Sequence, residues 1–180
     1  MWVQPRVVCN RPGSSISIWV GIGGASRESR TLEQIGTAAD CDGDGRLFTS
    51  VWYELFPAPP VDVPVAVRAG DTVRASVTVW GAAVVVSLTN VSTGASFSTR
   101  RVVRRPVPDT DSAEWIVEAP GACFVTCAGL PLADFNRVQF RDAAAMGGSA
   151  WERVRLEMKA ARTTSLSAGA TAFAVVPRPG

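Results

Sequence analysis

The amino-acid sequence predicts an all-β protein, a sandwich or barrel of short antiparallel strands, and three observations carry that expectation. Apolar and polar residues alternate with a period of two, turn-forming residues recur at short intervals, and helix signals are sparse. The chain of 180 residues is long enough for one domain, which at this size buries roughly two thirds of its unfolded surface. A hydrophobic share of 47% against 19% charged residues supplies a core and argues against extended disorder.

Taken in order, residues 15–20 and 73–80 show the clearest alternation. In a strand, residues two apart share a face. Residues 31–37 accordingly place Leu32, Gln34 and Gly36 together. Residues 112–120 place Glu114, Ile116 and Glu118 on one face and Ala113, Trp115 and Val117 on the other. Turn signals fall between the strands at Pro12-Gly13, Gly23-Gly24, 42–45, 57–60, 69–71 and 92–94. The best helix candidate, Asp142 to Met146, ends at Gly147-Gly148, so a loop with one helical turn is expected there. Neither an internal repeat nor a linker-like shift of composition divides the chain. The expectation is a single domain over residues 1–176 followed by a flexible tail, 177–180.

No apolar run approaches the roughly 20 residues of a membrane span, and residues 1–13 lack the apolar core of a signal peptide. The chain reads as soluble or already trimmed, with no membrane partner. A net charge of +2 gives no global pull toward nucleic acid. The cluster Arg100, Arg101, Arg104 and Arg105 reads as a solvated strand and turn rather than a phosphate site.

Histidine is absent. That removes Ser-His-Asp and Cys-His nucleophile systems, the HExxH zinc site and every other His-ligated metal centre. Acid–base chemistry falls to carboxylates, Tyr53 or the single lysine, Lys159. Asp40, Asp42 and Asp44 before Gly45 imitate the start of a calcium loop, but Val51 stands where a closing carboxylate is needed, so a hairpin turn is favoured. Asp109-Thr110-Asp111 lacks the glycine and the second copy of an aspartic protease motif. Asn90-Val91-Ser92 has the form of a glycosylation sequon. No metal and no cofactor are expected.

Cys9, Cys41, Cys123 and Cys127 form an even set with three possible connectivities. Paired zinc knuckles fit the spacing poorly. Cys9–Cys41 with Cys123–Cys127 is the favoured pairing, as in a secreted protein.

The ordered set of segments 18–24, 32–37, 51–57, 70–73, 88–94 and 113–120 resembles the successive motifs of the glutamic peptidase (eqolisin) family, and residues 134–140 resemble its later strand. The resemblance implies a sandwich of two antiparallel sheets, concanavalin A-like or jelly-roll in type, with the active site in a concave sheet face. By the same resemblance Gln34 falls on the catalytic glutamine and Glu118 on the catalytic glutamate, with Glu114 as a neighbour. Trp19, Trp52 and Glu54 match cleft positions that contact the peptide. Cys9 and Cys41 sit where bacterial-type members carry a pair, and Cys123 and Cys127 occupy a loop bridged in fungal relatives.

The activity so implied is that of an acid-acting, secreted endopeptidase, a monomer with a polypeptide substrate. Glu118 serves as general base for a water molecule, and Gln34 stabilises the oxyanion. The alternative is a non-catalytic binding module for protein or glycan on the same sandwich. Three departures stand out. Gly23 and Ser50 replace acidic residues, and residues 1–5 lack the family's usual Asn-Trp-Gly-like first strand, which would open the cleft or expose a sheet edge.

Overall fold

A computed structural model describes residues 1–123, 127–147, 161–163 and 171–177, with backbone alone at 122–123, 127–128 and 161–163. The described residues hold strands and no helix. The first ten strands are β1 (Trp2–Val3), β2 (Val7–Val8), β3 (Ser15–Gly23), β4 (Leu32–Cys41), β5 (Leu47–Phe56), β6 (Val61–Val63), β7 (Thr72–Trp80), β8 (Ala83–Asn90), β9 (Ser96–Val102) and β10 (Ala113–Glu118). Six short ones follow: β11 (Gly121–Cys123), β12 (Cys127–Gly129), β13 (Asp134–Phe135), β14 (Val138–Phe140), β15 (Ala161–Thr163) and β16 (Phe173–Pro177).

Two antiparallel sheets dominate, one in the order β10-β3-β4-β5-β6 and the other β1-β7-β8-β9. Between them lies the core. Ile16, Ile18, Ile35 and Val51 from the first sheet meet Val73, Val84, Val86 and Leu88 from the second, all 1% exposed or less. These are the β-branched and branched aliphatic residues that alternation assigns to one face of each strand. The all-β sandwich expected from the sequence is therefore present.

The hairpin between β4 and β5 turns at the aspartate cluster. Asp42 Oδ1 accepts backbone N–H bonds from Asp44 at 2.9 Å and Arg46 at 2.8 Å, and Gly45 takes a φ of 75°. Asp40 instead accepts a hydrogen bond from the Ser15 hydroxyl. Cys9 and Cys41 form a disulfide with their Cα atoms 5.4 Å apart, tying the segment after β2 to the end of β4. The backbone sets Cys123 opposite Cys127 across the β11–β12 hairpin; the pairing of their side chains lies outside the described residues.

Two local findings differ from the sequence reading. Residues 142–146 form no helical turn. Three alanines are too short a run to nucleate one, and Asp142 adopts a left-handed φ of 50°. At the other end, the N-terminal segment lays Trp2 opposite Val73 and Val3 opposite Thr72, covering that stretch of the β7 edge. Trp2 is 1% exposed, and buried Gln4 accepts a hydrogen bond from Thr37 at 2.8 Å, linking this segment to β4. β16 ends at Pro177, opposite Ala161, and the rest of the expected tail, 178–180, lies outside the described residues.

Candidate active site

Register in the five-stranded sheet determines which side chains meet on the face turned away from the core. One cross-strand row runs Glu114, Gly21, Gln34, Glu54. The next runs Ile116, Trp19, Gly36, Trp52, Asp62, and the third Glu118, Ser17, Ala38, Ser50. Every site residue expected from the sequence, Gln34, Glu118, Trp19, Trp52 and Glu54, is therefore on one face across four adjacent strands. Glu114 joins them.

Gln34 and Glu118 make no hydrogen bond to each other, and each is held by its own partner. Gln34 Nε2 donates to Glu54 Oε2 at 2.5 Å. Trp19 Nε1 donates to Glu118 Oε1 at 2.9 Å. An ionised carboxylate only accepts, so the Glu54 bond fixes which end of the Gln34 amide faces it. It leaves Gln34 with one free N–H and with a buried Oε1 that has no partner.

Burial raises all three carboxyl groups of this face, and the charge of Glu118 adds to the rise at the other two. Burial raises the Glu118 carboxyl above its ordinary value, and the Trp19 N–H opposes this by favouring the anion. Glu54 is raised by burial, opposed by the Gln34 amide and reinforced by the charge of Glu118. Glu114 is raised by burial, opposed by Ser112 and again reinforced by Glu118. Each of these groups therefore holds its proton to a higher pH than an exposed glutamate does.

Two glycines make room for Trp19. A Cβ on Gly36 would lie 2.4 Å from the Ile18 carbonyl oxygen and 2.5 Å from Trp19 Cβ. A Cβ on Gly21 would lie 2.9 Å from Trp19 Cζ3. The indole thus spans the row between Gln34 and Glu118, with its N–H end on the glutamate. Trp19 and Glu54, expected from the sequence to contact the peptide, also hold the other two side chains by hydrogen bonds.

Glu33 was not singled out by sequence. Its side chain lies on the core face behind Gln34, is 0% exposed, and neither carboxylate oxygen has a partner. Burial, reinforced by the charge of Asp109 and opposed by the polarity of its own backbone N–H, pushes it up to about 7. The signal was available: its odd position, shared with Ile35, put it inside once Gln34 was placed outside.

Among the described residues no cluster of three or more Cys, Asp or Glu is arranged to hold a metal ion. Fold and site together define a β-sandwich whose one sheet face gathers carboxyl groups, indoles and a carboxamide, the components of acid–base hydrolysis. Residues 1–175 match the Peptidase A4 family, and the chain belongs to it.

Solved structures agree on the fold. Scytalido-glutamic peptidase with a transition-state analogue inhibitor superposes with a TM-score of 0.83 at 21% identity, covering 98% of this chain and 89% of that one. Aspergilloglutamic peptidase from Aspergillus niger gives 0.74 at 25% identity, covering 92% and 99%. A member of the eqolisin family of peptidases, in a complex with the tripeptide Ala-Ile-His, gives 0.77 at 20% identity, covering 98% and 89%. No curated protein matches. Membership makes the chain a hydrolase of the glutamic peptidase type.

Proposed function

We propose that this protein cleaves polypeptides in mildly acidic surroundings, with Glu118 as general base and Gln34 as the oxyanion donor. The observation that carries the reading is the shared sheet face, on which a partly buried, Trp19-bonded carboxyl group on β10 and a carboxamide with a free N–H on β4 flank the Trp19 row of β3.

In the first step Glu118 takes a proton from water as the water oxygen bonds to the scissile carbonyl carbon. The negative charge moves to the carbonyl oxygen, where the second N–H of Gln34 meets it. In the second step the C–N bond breaks, and Glu118 returns its proton to the leaving nitrogen. Glu54 orients Gln34, and Trp19 orients Glu118 and supports its anion. Trp52, half-buried on the same face, is placed to contact the peptide.

Because a general base must be ionised, the acid limb of activity lies above the pH of an unperturbed glutamate, in the direction burial moves Glu118. The Cys9–Cys41 bridge fits work outside a reducing cytosol, as a secreted protein. The test is digestion of a denatured protein between about pH 2 and 7, spanning the carboxyl range. Wild type should release fragments, whereas Glu118→Gln and Gln34→Ala should not. Equal cleavage by all three would refute the assignment.

A further inference from the structure

The second sheet carries a surface that peptide hydrolysis does not use. Residues 72–105, which build β7, β8 and β9, contain five arginines, Arg74, Arg100, Arg101, Arg104 and Arg105, and no Asp or Glu. Among the described residues none of these arginines is paired with a carboxylate.

Alternation turns Trp80 and Thr78 of β7, Val85 of β8 and Arg100 of β9 away from the core, with Thr78, Val85 and Arg100 in one cross-strand row. A neighbouring row is made of hydroxyls, Ser76, Ser87 and Ser98, and the last two are hydrogen-bonded at 2.7 Å. Trp80 is 86% exposed, an unusual position for an indole. With Thr78, Ala83, Val85 and Arg100 it lines a shallow depression of about 390 Å³.

We propose that this outer face binds an anionic polysaccharide of the uronic-acid type. The depression takes one sugar ring against the Trp80 indole, whose flat apolar body and polar edge suit a sugar's apolar face and hydroxyl rim. The Arg100 guanidinium then meets the ring's carboxylate. The serine row offers hydrogen bonds to hydroxyls of the next sugar, and the acid-free surround attracts further carboxylates. Single-stranded nucleic acid would call for a succession of stacking aromatics, whereas this face exposes one. An anionic bilayer would call for a broad apolar face rather than rows of hydroxyls.

The experiment is electrophoresis of the protein through gels containing polygalacturonate at about pH 5.5, where uronate carboxyls are ionised. Wild type should be retarded, and added salt should weaken the effect. Trp80→Ala should weaken binding about tenfold through loss of the apolar contact, and Arg100→Gln a few-fold. Fully methyl-esterified polygalacturonate should not retard the protein. Trp80→Ala should keep the wild-type melting temperature and cleave a soluble denatured protein as wild type does. The proposal is overturned if polygalacturonate fails to retard wild type, if both variants bind like wild type, or if the esterified polymer binds equally. Tighter binding of duplex DNA or of phosphatidylserine vesicles would overturn it in favour of those partners.

Discussion

Replacing Glu33 with glutamine should remove one share of the fall in this protein's stability between about pH 4.5 and 7. Glu33 is fully buried, feels the negative charge of Asp109, and has no hydrogen-bond partner at either oxygen. The folded state therefore favours its protonated form, with the carboxyl moved from an ordinary 4.5 to about 7. Below the lower value both folded and unfolded chains hold the proton, and Glu33 costs nothing. As pH rises through the interval the unfolded chain releases its proton first, so stability falls, and the loss is complete above about 7. A shift of this size corresponds to about 3 kcal/mol, or about 10 °C in melting temperature for a domain of this length. Melting followed by circular dichroism between about pH 4 and 8 compares the two proteins. Glu54, Glu114 and Glu118 contribute the same sign of slope in both, so the difference between the curves isolates Glu33. Parallel curves for wild type and Glu33→Gln would refute the reasoning.

Further expectations concern the site. Glu54→Ala removes the acceptor that orients the Gln34 amide, so kcat should fall by about tenfold to a hundredfold with KM little changed. Steady-state kinetics on a fluorogenic peptide checks this, and a rise in KM alone would make Glu54 a substrate contact instead. Gly36→Ala places a methyl group 2.5 Å from Trp19 Cβ. It should destabilise the fold by about 1–3 kcal/mol and lower kcat by displacing the indole from Glu118; an unchanged melting temperature would show that the strand yields freely.

Much of this arrangement was legible from alternation alone. The faces of β3, β4 and β10 follow from period-two spacing, and so does the grouping of Glu114 with Glu118. The contact between Gln34 and Glu54 needed the register. The Asp42–Gly45 turn pairs Cys41 with Leu47, and seven residues back along each strand Gln34 meets Glu54. A turn signal locates a hairpin but does not fix how many residues it consumes. Glu33 escaped notice because a carboxylate on a core face contradicts the hydrophobic pattern that defines the face. Strands β1 and β2 span two residues each and are too short for any periodicity to reveal. Trp2 is buried by what packs around it, not by its local pattern.

The most direct test of a cooperating pair is kcat/KM for Gln34→Ala, Glu118→Gln and the double variant, measured on one peptide at the pH optimum of wild type. Loss of the oxyanion donor should cost about a hundredfold to a thousandfold, and loss of the base about a hundredfold to ten-thousandfold. If both residues serve a single hydrolytic step, the double variant should be scarcely worse than the poorer single one. Losses that multiply in the double variant, or a Glu118→Gln protein that retains wild-type activity, would contradict the pairing of Gln34 with Glu118.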